Sequence, residues 1–451
     1  MEQRKLKFDS VLLPTGWARD VCVSVTSDGL ISKIETSSKD GERVSGITVP
    51  GMANLHSHAH QRLMQGFAER AGPDADSFWT WREVMYGFAL KLSPEDLEAV
   101  AAQAYSEMLC AGFTSVGEFQ YLHHQPDGSP YGNRAEMSLR CLSAADATGI
   151  ATTMLPVLYS HSGFGGAAPN EGQRRFINDV DGFLDIYEIL NDKLEGHHQL
   201  GVAPHSLRAV TKTGLIAVLE ATPEGQPVHI HVAEQIKEVE DCLAWSKQRP
   251  VEYLLSHYDV NQTWCAIHAT HMQDHETRAL AATGAVAGLC PTTEANLGDG
   301  IFPAAEFIKA GGKFGVGSDS HITISPSEDL RMLEYSQRLK HQTRNVLADG
   351  AGQSTGRGMF ERALKGGAQA LQQNMGAIEV GKRADFVVLD DDHHALLGRI
   401  EDAALDAWIF SGGNACVRDV YAGGKLQVKD GAHVNAISIK NNFKKTIARL
   451  A

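Results

Sequence analysis

Short apolar runs recur along the chain from about residue 47 onward, and each is followed by a segment with helical periodicity. They predict eight β-strands, near Ile47–Leu55, Phe113–Phe119, Ala151–Tyr159, Leu200–Pro204, Val228–Val232, Trp264–His268, Ala285–Leu289 and Lys313–Gly317. Eight strands that alternate with helices are typical of a (β/α)8 barrel of the TIM type. The pattern therefore predicts an α/β fold with such a barrel as its main domain.

One of the predicted helices has clear signals at both ends. Ser93 can cap its first turn, Pro94 suits the first helical position, and Glu95 and Asp96 suit the turn that follows. Gly112 can end the same helix, because glycine readily adopts the left-handed backbone conformation that follows many helices.

The two ends of the chain differ from its centre, since both contain short strand-like pieces separated by turns. Residues 381–390, with the sequence GKRADFVVLD, contain a strand-like piece near the C-terminus that is similar to those of the first 46 residues. We therefore expect residues 1–47 and 376–451 to supply the two halves of a small β-sandwich, the second half with a tail. Residues 48–375 would then form the barrel.

Composition narrows the class of protein and its partners. Of 451 residues, 43% are hydrophobic and 21% are charged, which is typical of a globular protein. A net charge of −14 disfavours nucleic acid and anionic membranes as partners. The first ten residues lack the apolar core of a signal peptide, and no apolar stretch reaches the length of a membrane span. Seven scattered cysteines without a Cys-x-x-Cys pair favour reduced thiols and a cytoplasmic location.

Polar residues cluster at the predicted C-terminal ends of the strands, where the active sites of such barrels lie. His56 and His58 end the first strand, and alternate residues of a strand project to the same side. His231, His268 and Asp319 end the fifth, sixth and eighth strands. A single histidine is more often a hydrogen-bonded core or surface residue, but five such residues at strand ends favour a functional site.

This set of residues suits a metal ion. Neutral imidazole nitrogens plus one carboxylate oxygen, with a position left for water, favour Zn²⁺ over Fe²⁺ or another divalent ion. Such an ion lowers the pKa of a bound water from 15.7 to about 7. Glu234, three residues after His231, could then transfer a proton from that water to a leaving nitrogen. His268 and Asp319 could orient or deprotonate the water.

The other histidines have simpler interpretations. His229 shares the inward face of the fifth strand but lies one layer deeper, which favours a packing role. The pairs His123–His124, His197–His198 and His393–His394 are interpreted as solvated loop residues. The fourth strand ends without a lysine that could bridge two metals, so we expect a single metal ion.

The chain resembles the amidohydrolase superfamily in a combination of features: the His56-x-His58 motif, the His231-x-x-Glu234 motif, His268, Asp319 and the 381–389 segment. The resemblance is to its mononuclear deaminase branch and covers essentially the whole chain. Four further segments are similar to those members of the branch that act on N-formimino-L-glutamate in histidine degradation: Asn54–Arg62, Ser77–Tyr86, Gly117–His123 and Ala203–Arg208. His60 departs from this pattern, because an aromatic residue is expected there.

The resemblance implies a metal-dependent deiminase, in which metal-bound hydroxide attacks the formimino carbon and N-formyl-L-glutamate and ammonia are released. It implies metal ligands at His56, His58, His231 and Asp319, catalytic roles for Glu234, His268 and Asp319, and substrate contacts from Gln61, Arg82, Tyr121, His205 and Arg208. Guanidinium groups bind carboxylates bidentately, and this small acidic substrate carries two. The resemblance also makes a homo-oligomer plausible, with a dimer favoured.

Two alternatives stay open at this point. A deaminase of an aminated ring, such as guanine, adenosine or a triazine, would keep the fold and the metal, but it would give two arginines little to bind. A barrel that has lost catalysis and serves as a binding or assembly module would show gaps in the ligand set.

Overall fold

The computed structural model describes residues 4–36, 40–72, 76 and 78–450; Ser77, the first residue of one of the quoted segments, lies outside them. The strands are β1 (Arg4–Leu13), β2 (Gly16–Val25), β3 (Ile31–Thr36), β4 (Glu42–Pro50), β5 (Met52–Ser57), β6 (Phe113–Gln120), β7 (Ala151–Leu158), β8 (Gln199–Leu200), β9 (Ala203–Pro204), β10 (Val228–Val232), β11 (Trp264–His268), β12 (Val286–Leu289), β13 (Lys313–Val316), β14 (Phe386–Leu389), β15 (Val417–Ala422), β16 (Lys425–Lys429) and β17 (Ala432–His433).

The helices lie mainly between these strands, as the alternating pattern predicts. They are α1 (Phe78–Ala89), α2 (Pro94–Ala111), α3 (Glu136–Thr148), α4 (Val180–Asn191), α5 (Lys212–Ala221), α6 (Ile236–Ser246), α7 (Pro250–His257), α8 (Asp274–Ala282), α9 (Pro291–Leu297), α10 (Ala304–Lys309), α11 (Pro326–His341), α12 (Thr355–Leu371), α13 (Glu401–Ala407) and α14 (Ala436–Leu450). None of the described helices combines the length and the apolar composition needed to cross a membrane.

Strands β5 to β13 form the predicted parallel barrel. One run of pairing joins β5, β6, β7 and β8, with β9 also on β7, and a second run joins β10, β11, β12 and β13. Isolated parallel bridges connect the two runs, at Val202–Val228 and Ser206–His231 on one side and at Ser57–Asp319 on the other. The barrel fold is therefore confirmed, and its first and last strands meet at Ser57 and Asp319.

Two predicted strands are wrong in detail. The run near Ile47–Leu55 is two strands, β4 and β5, and they belong to different sheets. Gly51 separates them, and a Cβ atom there would lie 2.4 Å from the hydroxyl oxygen of Thr114. Because residues 47–55 are all buried and most of them are apolar, the sequence pattern shows no break, and the expected boundary after residue 47 falls inside β4. The fourth barrel strand is likewise two short pieces, β8 and β9.

The remaining strands form one eight-stranded sheet from both ends of the chain, in the order β17-β16-β15-β14-β4-β1-β2-β3. Antiparallel pairing of β4 with β14 joins the N-terminal and C-terminal parts, with Val49 opposite Val387. This confirms that the two ends build a common β-rich unit. β14 lies within the GKRADFVVLD segment that the sequence singled out.

Helix α2 follows its sequence signals closely. The hydroxyl oxygen of Ser93 accepts a hydrogen bond from the backbone N–H of Asp96, and the Asp96 carboxylate accepts one from the backbone N–H of Ser93. Gly112 ends the helix with φ of 102°, a conformation that glycine adopts without a steric penalty. The helix thereby presents its buried face, which includes Tyr105, to the barrel.

A buried ion pair ties the β-rich unit to the barrel. Arg383 is 3% exposed, binds the Asp385 carboxylate at 2.8 Å, and donates a hydrogen bond of 2.6 Å to the carbonyl of Thr114 in β6. Asp385 also accepts a hydrogen bond from the backbone N–H of Gly423. The contact therefore joins residues from three distant parts of the chain.

We expect Arg383→Met to lower the free energy of unfolding by about 3–5 kcal/mol, because it leaves the Asp385 carboxylate buried without its cation. Urea unfolding followed by circular dichroism measures this change. The matched control is Arg418→Met, since Arg418 pairs with Asp419 at a more exposed position and should cost about 1 kcal/mol or less. Equal losses in the two variants would contradict the prediction.

Candidate active site

Four of the predicted site residues converge at the C-terminal mouth of the barrel. His56 ends β5 with His58 just after it, His231 lies in β10, and Asp319 follows β13. Each is at most 5% exposed, and one nitrogen or oxygen of each lies within 4.8 Å of those of the others. The Nε2 atoms of His58 and His56 lie 3.2 Å and 3.4 Å from Oδ1 of Asp319. The arrangement can hold one metal ion.

Hydrogen bonds behind the rings fix which nitrogen faces the cluster. Nδ1 of His58 lies 3.0 Å from the carbonyl oxygen of Phe119, and Nδ1 of His231 lies 2.8 Å from that of His205. A carbonyl oxygen only accepts, so both Nδ1 atoms carry the proton and both Nε2 atoms present a lone pair. Such hydrogen bonds are the usual support of metal-binding histidines.

Protonation states also suit a cation. Burial lowers the pKa of His56 to about 3 and that of His231 well below its usual range, so both rings are neutral at physiological pH. Burial by itself raises the pKa of the Asp319 carboxyl, but hydrogen bonds from His56 and His58 hold that pKa well below its usual value. His56 and His231 therefore offer neutral rings beside the Asp319 carboxylate.

Glu234 and His268 lie beside this cluster. Nε2 of His268 is 3.8 Å from Oε1 of Glu234 and 3.9 Å from Oδ2 of Asp319. Burial raises the pKa of Glu234 above its usual value. Burial alone lowers the pKa of His268, but Glu234, Glu294 and Asp319 together raise it to about 10. The two groups can therefore exchange protons with a molecule bound between them.

Glu294 is a site residue that sequence reasoning missed. Its Oε1 atom lies 3.3 Å from Nδ1 of His268 and accepts a hydrogen bond of 2.8 Å from the backbone N–H of Cys290. It therefore fixes the orientation of the His268 ring from behind. The available signal was an acidic residue a few positions after the predicted seventh strand, at the start of a helix that begins with Pro291.

The backbone is strained where several site residues leave their strands. Ala233, which precedes Glu234, has φ of 53°, His268 has 66° and Asp319 has 44°. Such left-handed conformations are uncommon outside glycine and cost about 1–3 kcal/mol each. Three of the twelve non-glycine residues with positive φ in the described part of the chain thus lie where barrel strands reach the site.

All five predicted substrate-binding residues line one cavity with His58, His231 and Asp319: Gln61, Arg82, Tyr121, His205 and Arg208. Arg208 is 8% exposed, and its Nε and Nη2 atoms have no hydrogen-bond partner, nor has Nε of Arg82. Among the described residues, neither arginine pairs with a carboxylate. The guanidinium carbons of Arg82 and Arg208 lie 4.5 Å and 5.7 Å from the centre of the Trp79 ring. Two cationic groups are thus held ready for an anionic ligand.

His60, the residue that departs from the pattern of similar enzymes, lies behind the cavity wall. Its Nε2 atom is 3.1 Å from the hydroxyl oxygen of Tyr121, which also accepts a hydrogen bond of 2.7 Å from Nε2 of Gln61. His60 is 2% exposed and does not line the cavity itself. Its effect on the pocket therefore passes through Tyr121.

The prediction of a solvated His123–His124 pair is wrong. The two side chains are 1% and 6% exposed, and they bind the carbonyl oxygens of Val157 and Ile177. The loop after β6 is buried against the segment around Arg175, so its polar side chains find backbone partners. His229 is also buried and binds the carbonyl oxygen of Ala370 inside the barrel.

Residues 47–427 match the sequence profile of the amidohydrolase family. The chain belongs to this family. Amidohydrolases are metal-dependent, and in this amidohydrolase the buried set of three histidines and one aspartate is the site that can hold the metal.

Similar amidohydrolases are known from sequence and structure. The formimidoylglutamate deiminase of Pseudomonas aeruginosa is 51% identical over 428 residues, which make up 94% of each chain. The crystal structure of an amidohydrolase from Brucella melitensis has a TM-score of 0.95 at 54% identity and covers 99% of this chain and 100% of that one. A zinc-bound adenosine deaminase from Xanthomonas campestris has a TM-score of 0.82 at 21% identity, covers 99% and 98% of the two chains, and shows the fold alone.

Proposed function

We propose that this amidohydrolase hydrolyses the formimino group of N-formimino-L-glutamate, giving N-formyl-L-glutamate and ammonia. The observation that carries the proposal is the pair of arginines, Arg82 and Arg208, whose unpartnered N–H groups lie in the cavity of the metal cluster. The 51% identity to a formimidoylglutamate deiminase over most of both chains supports the same activity.

We propose one divalent ion, Zn²⁺, bound by His56, His58, His231 and Asp319. The donor set fits this ion, because imidazole nitrogens suit zinc whereas Mg²⁺ and Ca²⁺ prefer oxygen ligands. When bound, the ion supplies a Lewis acid that lowers the pKa of a coordinated water to about 7. Metal analysis of the purified protein distinguishes zinc from iron.

The chain's own residues bind and orient the substrate. The glutamate portion carries two carboxylates, and Arg208 and Arg82 offer them bidentate hydrogen bonds in a site shielded from solvent. Gln61, Tyr121 and His205 supply further polar contacts on the same wall. This local positive charge is needed because the chain as a whole carries a net charge of −14.

Proton transfer is assigned to Glu234, which lines the cavity together with His58, His231 and Asp319. It accepts one proton from the attacking water and delivers it to the formimino nitrogen. It then takes the second proton from the hydroxyl group formed on the carbon and delivers it to the same nitrogen, which leaves as ammonia as the carbonyl forms. The charged His268 ring stabilises the oxygen that gains negative charge at the former formimino carbon, and Glu294 keeps that ring in place. Nε2 of His268 lies 3.9 Å from Oδ2 of Asp319, so the two groups would orient a water bound between them.

The direct experiment measures ammonia release from N-formimino-L-glutamate, guanine and adenosine in parallel. Release from the formimino compound alone supports the proposal. Release from guanine or adenosine would be consistent with the barrel and the metal site but would overturn the role given to the arginines. No release from any of the three by metal-loaded protein would favour a non-catalytic barrel.

We expect removal of the metal with a strong chelator to abolish activity, and we expect added Zn²⁺ to restore it. The melting temperature should also fall on metal removal, because a ligand that binds only the folded state stabilises it. Far-ultraviolet circular dichroism of the metal-free protein provides the control that the barrel stays folded. Full activity in protein shown to be free of metal would contradict this prediction.

We further propose that the enzyme works in the cytoplasm as a homo-oligomer, with a dimer as the simplest form. The seven cysteines are free thiols, which suits a reducing compartment. Light scattering measures the oligomeric state directly.

A further inference from the structure

Glu118, at the end of β6, lies on the far side of the metal-binding segment from the cavity. Its side chain is buried, and its carboxylate accepts three hydrogen bonds: 2.6 Å from the Ser57 hydroxyl, 3.0 Å from the Tyr105 hydroxyl and 2.8 Å from the backbone N–H of Ala59. Ser57 lies between the ligands His56 and His58 in the sequence, and Ala59 follows them directly. Glu118 therefore holds the two-histidine segment from behind.

The hydrogen bonds of this network all run in one direction, from donor to acceptor, toward Glu118. Ser57 has one hydroxyl proton and donates it to Glu118, so it accepts from Nε2 of His321 at 3.1 Å. Nδ1 of His321 then accepts from the Ser318 hydroxyl at 2.9 Å, and Ser318 accepts from the side-chain amide of Asn54 at 2.6 Å. Each of these protons has one acceptor, and the chain of bonds ends on the carboxylate.

The network connects the two segments that carry three of the four metal ligands. Ser57 and Ala59 belong to the segment of His56 and His58, whereas Ser318 and His321 flank Asp319. Because the hydrogen bonds run behind both segments, they set the distance between the histidine nitrogens and the Asp319 carboxylate. Interactions of this kind fix ligand geometry in metal sites.

Burial raises the pKa of the Glu118 carboxyl, whereas the hydrogen bonds from Ser57, Ala59 and Tyr105 favour its ionised form. Among the residues that the structure describes, no lysine, arginine or histidine nitrogen lies within 4.0 Å of its carboxylate oxygens. A buried carboxylate is costly unless its charge is balanced. A divalent cation held by the neighbouring ligands would provide that balance.

We propose that Glu118 is a positioning residue that strengthens divalent-metal binding, both by holding Ser57 and Ala59 and through its buried negative charge. The inference depends on the metal site proposed above and not on the identity of the substrate. Its test therefore measures metal affinity rather than activity.

The test compares Glu118→Gln with Glu334→Gln in the full-length protein. Glu334 is equally buried and also accepts two backbone hydrogen bonds, from Val346 and Leu347, but it pairs with Arg338 away from the site. Metal-free protein is titrated with Zn²⁺ in competition with a chelating indicator. We expect the Kd for Zn²⁺ to rise about 10- to 100-fold in Glu118→Gln, as is typical when such supporting groups are lost. Glu334→Gln should stay within about twofold of the wild type.

An unchanged Kd in Glu118→Gln would overturn the proposal, and so would an equal rise in Glu334→Gln. If Glu118→Gln does not fold, Ser57→Ala removes the shortest hydrogen bond and retains the carboxylate. We expect a rise in Kd of about 10-fold there, and an unchanged value would again overturn the proposal. Wild-type protein that binds Zn²⁺ tightly but does not act on N-formimino-L-glutamate would refute only the proposed function.

Discussion

Glu234→Gln is expected to lower kcat on N-formimino-L-glutamate by about 100- to 10,000-fold, the usual range for loss of a general acid–base group. The amide has nearly the same shape as the carboxyl group but cannot accept and release a proton. Because Glu234 is not a proposed ligand, the zinc content should stay at the wild-type level. Steady-state ammonia release together with metal analysis of the same sample provides the measurement.

Glu240→Gln is the matched control, because Glu240 lies on the exposed face of α6 in the same stretch of chain. It should retain full activity. A Glu234→Gln enzyme with a kcat close to the wild-type value would show that another group transfers the proton. Loss of zinc from that variant would instead assign Glu234 to the metal site.

Arg208→Met is expected to raise KM for N-formimino-L-glutamate by about 100-fold, since it removes a buried cation that binds a substrate carboxylate. The methionine side chain fills part of the space that the arginine stem occupied. The effect on kcat should be smaller, because the carboxylate contact is present both in the bound substrate and in the transition state. Initial rates over a wide range of substrate concentration separate the two constants.

Two comparisons sharpen this test. Arg208→Lys retains the charge but loses the bidentate geometry, so its KM should lie between those of Arg208→Met and the wild type. The exposed Arg344 gives a control, Arg344→Met, which should leave KM unchanged. A KM for Arg208→Met within about twofold of the wild type would remove Arg208 from the substrate site.

The barrel and its set of metal-ligating residues could be predicted because both depend on local patterns. Alternation along a strand places His56 and His58 on one side, and the alternation of strands and helices places His231, His268 and Asp319 at the same mouth. The structure brings these residues together as expected. The predicted substrate-binding residues came from resemblance to known enzymes rather than from periodicity.

The supporting residues could not be found in this way. Glu118 and Glu294 are ordinary acidic residues in the sequence, and only packing in three dimensions shows that they are buried and hydrogen-bonded. The same holds for His123 and His124, whose partners are backbone carbonyls far along the chain. Hydrophobic pattern reports which residues are apolar, but it does not report which polar residues the fold covers.

The bridge between Ser57 and Asp319 has a consequence for how the protein assembles. It is where the ring of strands closes, and it joins segments at opposite ends of the barrel sequence through two backbone hydrogen bonds, from His58 to Asp319 and from Asp319 to His56. Contacts between such distant segments are slow to form, because a long loop loses entropy before any contact compensates. A metal ion bound by His56, His58 and Asp319 would hold these two segments together. Closure of the barrel and completion of the metal site would then occur in the same step.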